Sequence, residues 1–403
     1  MFSDNKRILI HLSLIPSLGP ASILRLLTYV CHRAMPDLIH IGWHEIILHH
    51  ESLPLQLVYT LSAGQIAEIT KIKLSDALLA HEMLRSTVLL DEELTLIEQN
   101  QISVLMPFDD TFPEDLRQIH HPPIVLYCKG VPVKPSTKRL AIVGSRKATH
   151  YARQVIQSLV PSLVEHDWTI VSGGAEGADT MAHQAALDAG GTTIAVLGAG
   201  LLTAPYPASN TALFDRMVEQ GSMLVSPFPL RMEADRTTFP QRNRIISGLS
   251  VGSIIVQAAQ RSGALITARF ALEQGRQVFA VPGLVNDELS YGSHHLIKQG
   301  AKLVHTVEDV LEEFGESVAV HASSPASSRR EKVGSRKVAV HEVQAVIPLE
   351  PEDPMLATLQ EPVTLDELQL STGLQPEALQ DWLFTLQLEG KIKQHFSGTW
   401  QRV

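Results

Sequence analysis

From Ile102 to about Phe314 the chain alternates short apolar runs with longer amphipathic stretches. The apolar runs predict strands at 102–106, 124–128, 139–144, 168–172, 192–197, 222–226, 252–257, 277–281 and 302–305. The stretches between them carry helical periodicity at 149–165, 178–189, 208–220, 263–274 and 307–314, with Gly275 placed to cap one helix at its C-terminal end. Strands alternating with helices predict a doubly wound α/β sheet over residues 96–315.

The pattern changes on either side. Residues 1–95 read as all-helical, and Ile8–Val30 has apolar positions at helical spacing broken by Pro-Ser-Leu-Gly-Pro at 16–20. That is a helical hairpin around a glycine turn, with too few basic residues to read as a nucleic-acid module by itself. Residues 316–352 run through Ala/Ser/Pro, then Arg329, Arg330, Lys332, Arg336 and Lys337, then Pro and Glu, the composition of a flexible linker. Residues 353–403 have the order helix, turn, long helix and two short strands around Ser397-Gly398, a winged-helix pattern.

Composition narrows the classes. A chain of 403 residues, 44% of them hydrophobic, is long enough for two or three domains and a large core. No run of about 18 apolar residues is present, and residues 1–30 lack the features of a secretory leader, so a cytoplasmic protein without membrane contact is expected. Cys31 and Cys128 lie too far apart for a disulfide framework or a cysteine zinc site. His40, His44, His49 and His50 fall near helical spacings, but only Glu45 and Glu51 accompany them; they read as surface or core-edge residues, and no metal is expected. A net charge of −10 confines any anion site to one locality. In residues 355–403, three basic residues (Lys391, Lys393, Arg402) face six acidic ones, which favours a protein partner over duplex DNA there.

Candidate chemistry sits at the ends of the core strands. Leu140–Arg146 is a buried strand that breaks at Gly144 and exposes Arg146, a planar fork suited to phosphate, next to Ser145 and Lys147. About 30 residues on, a second strand ends in Ser172-Gly173-Gly174-Ala175-Glu176-Gly177-Ala178-Asp179, whose backbone N–H groups and following helix suit an oxyanion. The turn is neither a Walker loop nor a GxGxxG fingerprint, so neither ATP-driven chemistry nor hydride transfer is expected, and no cofactor. Gly198-Ala-Gly200 ends another strand, and Tyr206-Pro207 and Asn210 lead into a helix. Phe239-Pro-Gln-Arg242-Asn243-Arg244 sets two arginines around an asparagine, and Ser262-Gly263 with Thr267 opens a helix. Tyr206 and Phe239 are candidate base-stacking rings.

Charge is segregated as well. Gly130–Val164 holds Lys134, Lys138, Arg139, Arg146, Lys147 and Arg153 with no acid; Arg236–Leu272 holds Arg236, Arg242, Arg244, Arg261 and Arg269 with none. Eleven cations without an anion predict a groove for a nucleic-acid backbone. No nucleophile elbow, paired carboxylate or triad order is visible, so no catalytic residue is named.

Taken together, Ile142–Arg146, Ser172–Asp179, Gly198–Gly200, Tyr206-Pro207 with Asn210, Phe239–Arg244, Ser262–Ala268 and Gln277–Gly283 resemble the DNA-processing protein A (DprA/Smf) family, in its order and over about 140 residues. The resemblance implies an extended Rossmann-like core flanked by a SAM-like helical domain and a winged helix. It further implies a non-enzymatic homodimer that binds single-stranded DNA without sequence preference and hands it to the RecA recombinase during natural transformation. Arg146 matches the family's phosphate-gripping arginine, Gly144, Ser145, Gly173 and Gly174 its anion-binding backbone, and Arg242 with Arg244 its second basic element. Three positions depart from the family pattern: Gln257 where an acid is usual, Thr211-Ala212 where a lysine often follows Asn210, and His294 for an asparagine. The alternative on the same fold, a nucleotide phosphoribohydrolase of the LOG type, wants a Pro-Gly-Gly-x-Gly-Thr turn that this chain lacks.

Overall fold

The computed structural model describes residues 2–34, 53–132 and 138–315, with 368, 379, 383, 392–394 and 400–402. Two compact units, Met1–His321 and Ala322–Val403, divide the chain. In the first, nine strands form one sheet: β1 (Ser103–Leu105), β2 (Leu126–Gly130), β3 (Arg139–Val143), β4 (Thr169–Ser172), β5 (Thr193–Val196), β6 (Met223–Ser226), β7 (Gly252–Ile255), β8 (Gln277–Ala280) and β9 (Lys302–Leu303). Each expected strand is present. The order β1-β2-β6-β5-β4-β3-β7-β8-β9 is parallel from β6 to β9, with antiparallel β1 and β2 extending one edge.

The chain winds outward from β3 to β6, then returns to lay β7 on the other side of β3. Beyond the carboxyl ends of β3 and β7 no connection crosses the sheet, which is where an open α/β sheet leaves its ligand crevice. Every residue of β3 is buried, because helices cover both faces. Leu140 and Ile142 pack against the helices His150–Glu165 and Ala178–Asp188. Ala141 and Val143 join the core of the other face, under Thr238–Gly248 and Gly263–Glu273. Alternation along one strand thus fills two separate cores.

The expected helices form, but three more, Glu114–Arg117, Thr238–Gly248 and Tyr291–Lys298, are not predicted by the hydrophobic pattern. Thr-Phe-Pro-Gln-Arg-Asn-Arg carries too few apolar residues to signal an amphipathic helix, and its proline is tolerated because it falls in the first turn. In the N-terminal part, Asp4–Ser13 and Pro20–Ala34 make the predicted hairpin, and Ala63–Thr70, Leu74–Leu84 and Val88–Gln99 follow. Ser62 and Gln65 form a reciprocal capping box at the start of Ala63–Thr70. These helices bury Leu9, Leu12, Leu26, Leu27 and Ile66 in one core.

His40, His44, His49 and His50 lie outside the described residues, as does most of 316–403. In the second unit, β10 (Ile392–Gln394) pairs antiparallel with β11 (Trp400–Arg402), the two short strands expected around Ser397-Gly398. Among the described residues no helix is long and apolar enough to cross a membrane.

Candidate nucleic-acid interface

β3 delivers its chain to the crevice through Gly144. A Cβ there would stand 2.8 Å from Ala178 Cβ and 3.2 Å from the Gln257 carbonyl oxygen, so only glycine lets these strands and helix close up. Ser145 is buried, and its hydroxyl accepts the Lys147 N–H at 3.0 Å, which leaves the Arg146 and Lys147 side chains exposed. The Ser145 carbonyl accepts the Ala178 N–H at 3.1 Å and so ties this turn to the glycine turn after β4.

That second turn is held from inside. Gly174 and Gly177 have φ of +68° and +82°, and a Cβ on Gly177 would lie 2.3 Å from the Ser145 carbonyl oxygen. Asp179 is buried and accepts the N–H groups of Gly173 at 3.1 Å and Ala175 at 3.3 Å. Asn210, also buried, donates to the Gly174 carbonyl at 2.9 Å and to Thr180 Oγ1 at 2.8 Å. Arg242 is 4% exposed and donates to the carbonyls of Val196, at 2.5 Å, and of Gly173. Burial brings its pKa down to about 10, partly offset by the Asp179 charge. The Asp179 carboxyl is pushed up by burial against the pull of Arg242 and the turn amides. The two charges act on each other without forming an ion pair; Arg242 is held by carbonyls and Asp179 by the turn amides.

His183, one helical turn beyond Asp179, completes this interior. Thr193 Oγ1 donates to the Ile170 carbonyl at 2.8 Å, so it accepts from His183 Nδ1 at 2.7 Å; Nε2 is left buried without a partner. Burial, reinforced by Arg242, lowers the imidazole pKa to about 3. The fold therefore prefers neutral His183, and the unfolded chain takes up a proton as pH falls below about 6.5. Stability should fall between about pH 6.5 and pH 3, with a contribution from this residue of at most about 1.4 kcal/mol per pH unit. Urea unfolding of wild type and His183→Gln across that range should show the shallower slope in the variant; equal slopes would remove His183 as the cause.

Facing these turns is the helix Thr238–Gly248. Phe239 stands with its ring centroid 5.2 Å from the Arg146 guanidinium carbon and 5.7 Å from the exposed Tyr206 ring. Gly198 allows this approach, since a Cβ there would lie 3.0 Å from Phe239. Ser262 caps the helix Gly263–Glu273 by accepting the Ala264 N–H at 3.3 Å, and Asn243 donates to the Gly263 carbonyl at 3.3 Å.

The result is a cavity of about 470 Å³. It gathers Gly144, Ser145, Arg146, Lys147, Ala175, Asp179, Phe239, Arg242, Asn243, Ser262, Gly263 and Thr267 from the sequence-predicted set, and adds Arg236 and Ile266. Gly198, Gly200 and Tyr206 line an adjoining cavity of about 80 Å³ that shares Phe239. Ser172, Gly173, Gly174, Gly177 and Asn210 lie behind these surfaces and act as framework; Ser172 Oγ donates to the Ile142 carbonyl at 2.6 Å.

The sequence reading sends the whole cation accumulation to the groove, and here the structure corrects it. Arg139 is 1% exposed, donates to the Leu249 carbonyl at 2.7 Å and pairs with Asp115 at 3.0 Å. Arg244 is partly buried and donates to the His121 carbonyl, with its pKa lowered to about 10 by burial. Arg269 pairs with Glu273 at 2.7 Å on an exposed helix face. Exposed cations along the cavity are Arg146, Lys147 and Arg236. The three departures prove local. Gln257 Oε1 accepts the Thr149 N–H at 3.0 Å and braces the start of His150–Glu165. Thr211 Oγ1 donates to the Ala208 carbonyl at 2.8 Å, and His294 Nε2 sits 3.1 Å from the Gly283 carbonyl oxygen.

A largely parallel α/β sheet with glycine turns, exposed cations and an aromatic ring at its switch point defines the Rossmann-like class. The family model of "DNA recombination-mediator protein A" matches residues 103–315, and the chain belongs to that family. DNA processing protein DprA of Bacillus subtilis is 38% identical over 258 residues, 64% of this chain and 86% of that protein. DNA processing protein DprA of Streptococcus pneumoniae is 44% identical over 206 residues, 51% of this chain and 72% of that one. The X-ray structure of DNA processing protein A from Streptococcus pneumoniae aligns with a TM-score of 0.63 at 33% identity, covering 78% of this chain and 99% of that chain.

Proposed function

We propose that the protein binds single-stranded DNA without sequence preference in the β3–β7 groove and acts as a recombination mediator that loads RecA recombinase on the strand. The observation that carries the reading is Arg146, exposed and set over the Phe239 ring at the groove's mouth. A phosphate fork beside an aromatic face suits a chain of alternating phosphates and bases. The family and the names of the relatives support a role in DNA processing; the homodimer and the recombinase partner follow from the resemblance, and a cytoplasmic setting from the apolar pattern of the sequence. A further protein partner for residues 353–403 is proposed from their net acidity.

A nucleotide-hydrolysing role on this fold is not favoured. Asp179 is the sole carboxylate lining the cavity among the described residues, and it is engaged by two backbone amides and Arg242. Binding of labelled oligonucleotides at several salt concentrations tests the proposal. Single strands of different sequence should bind alike and better than duplex, with log affinity falling against log salt by about 0.7 per neutralised phosphate. Equal affinity for duplex, or none for single strands, would refute it.

A further inference from the structure

We propose that the N-terminal helical domain holds the groove wall in place through Glu93, a positioning residue for strand binding that does not touch the strand. The inference rests on the function proposed above. Leu90, Glu93 and Ile97 occupy one face of the helix Val88–Gln99, and all three are buried. An acid on an apolar stripe needs a partner, and Glu93 Oε1 accepts the Leu230 N–H at 2.9 Å. Burial pushes the carboxyl up, while the Leu230 amide, Tyr127 and Arg231 pull it back.

Leu230 lies in the connection between β6 and the helix that carries Phe239, yet its side chain is fully buried in the N-terminal core. From there the fastening spreads toward the groove. The Leu230 carbonyl accepts the Leu202 N–H at 2.9 Å, and the Met232 carbonyl accepts the Gly200 N–H at 2.8 Å. A Cβ on Gly200 would stand 2.1 Å from the Pro229 oxygen and 2.3 Å from that of Leu230, so the two loops meet backbone to backbone. A few residues on, Asp235, next to Arg236 in the chain, accepts the Thr238 N–H at 3.0 Å where the helix that sets Phe239 begins. One carboxylate of the helical domain thus anchors the loop whose far end delivers a cation and the stacking ring.

The test compares Glu93→Ala with Glu93→Gln in the full chain. Glutamine keeps an acceptor for the Leu230 N–H; alanine leaves that amide buried and unpaired. Glu93→Met, similar in volume and without an acceptor, replaces alanine should that variant not fold. Expected for the acceptor-less variant are faster amide exchange from Leu230 through Gly200 to Thr238, about tenfold weaker single-strand binding, and a salt slope lower by about 0.7 as the Arg236 contact is lost. Glu93→Gln should bind like wild type. Wild-type affinity and slope in the acceptor-less variant, or equal weakening by glutamine, would overturn the proposal. If wild type binds no single strand, the proposed function has failed, and exchange still decides the positioning: protection lost only at 229–232 overturns it, and loss reaching Thr238 supports it.

Discussion

Arg146→Ala should weaken binding to every single strand by roughly tenfold to a hundredfold. A charged hydrogen bond to phosphate contributes about 1.5–3 kcal/mol, while the cation–π contact with Phe239 is present without the strand and holds the fork in place. Each 1.4 kcal/mol is about a factor of ten in affinity. The salt slope should fall by about 0.7, since one phosphate contact is lost. Phe239→Ala provides the contrast: stacking contributes about 1–3 kcal/mol per base, so affinity falls while the slope holds. Fluorescence anisotropy at several salt concentrations separates the two variants. An unchanged Kd and slope in Arg146→Ala would mean that the strand does not follow this groove.

Asp179→Ala should destabilise the fold by roughly 2–6 kcal/mol, at about 1–3 kcal/mol for each of the two amides left without an acceptor. It strands the Arg242 charge in the interior and frees the Gly173 and Ala175 amides that hold the turn. Asp179→Asn, which retains an acceptor, should lose less. Urea unfolding midpoints give the comparison, and a wild-type midpoint for Asp179→Ala would show that the turn is held by something else. The same variant should also bind strands poorly, because the turn forms the wall behind Ser145 and Arg146.

Much of the core was legible. Unbroken apolar runs such as Leu140–Val143 mark strands covered on both faces, and the glycines after β3 and β4 mark turns where the backbone must come close to its neighbours. Helix Thr238–Gly248 was not, because its inward face is made of Arg242, Ile245 and Ile246 among polar neighbours, and an arginine breaks the apolar stripe. Glu93 is hidden in the sequence for a similar reason. Its only trace was an acid in phase with Leu90 and Ile97, and the partner that explains it is a backbone N–H 137 positions away.

The strand–helix alternation, the two glycine turns and an excess of cations near them are readable from residue order alone, since these are local properties of spacing and charge. Which cations are free depends on contacts between residues far apart in the chain. Arg242 and Arg244 are two positions apart, which on a helix is about 200° of rotation, so one turns into the glycine turn and the other toward His121. Arg139 is drawn under the sheet by Asp115, while Arg146 stays exposed over Phe239. A guanidinium can bind a ligand phosphate or an internal carbonyl with the same donors, and only the fold says which of the two lies within reach.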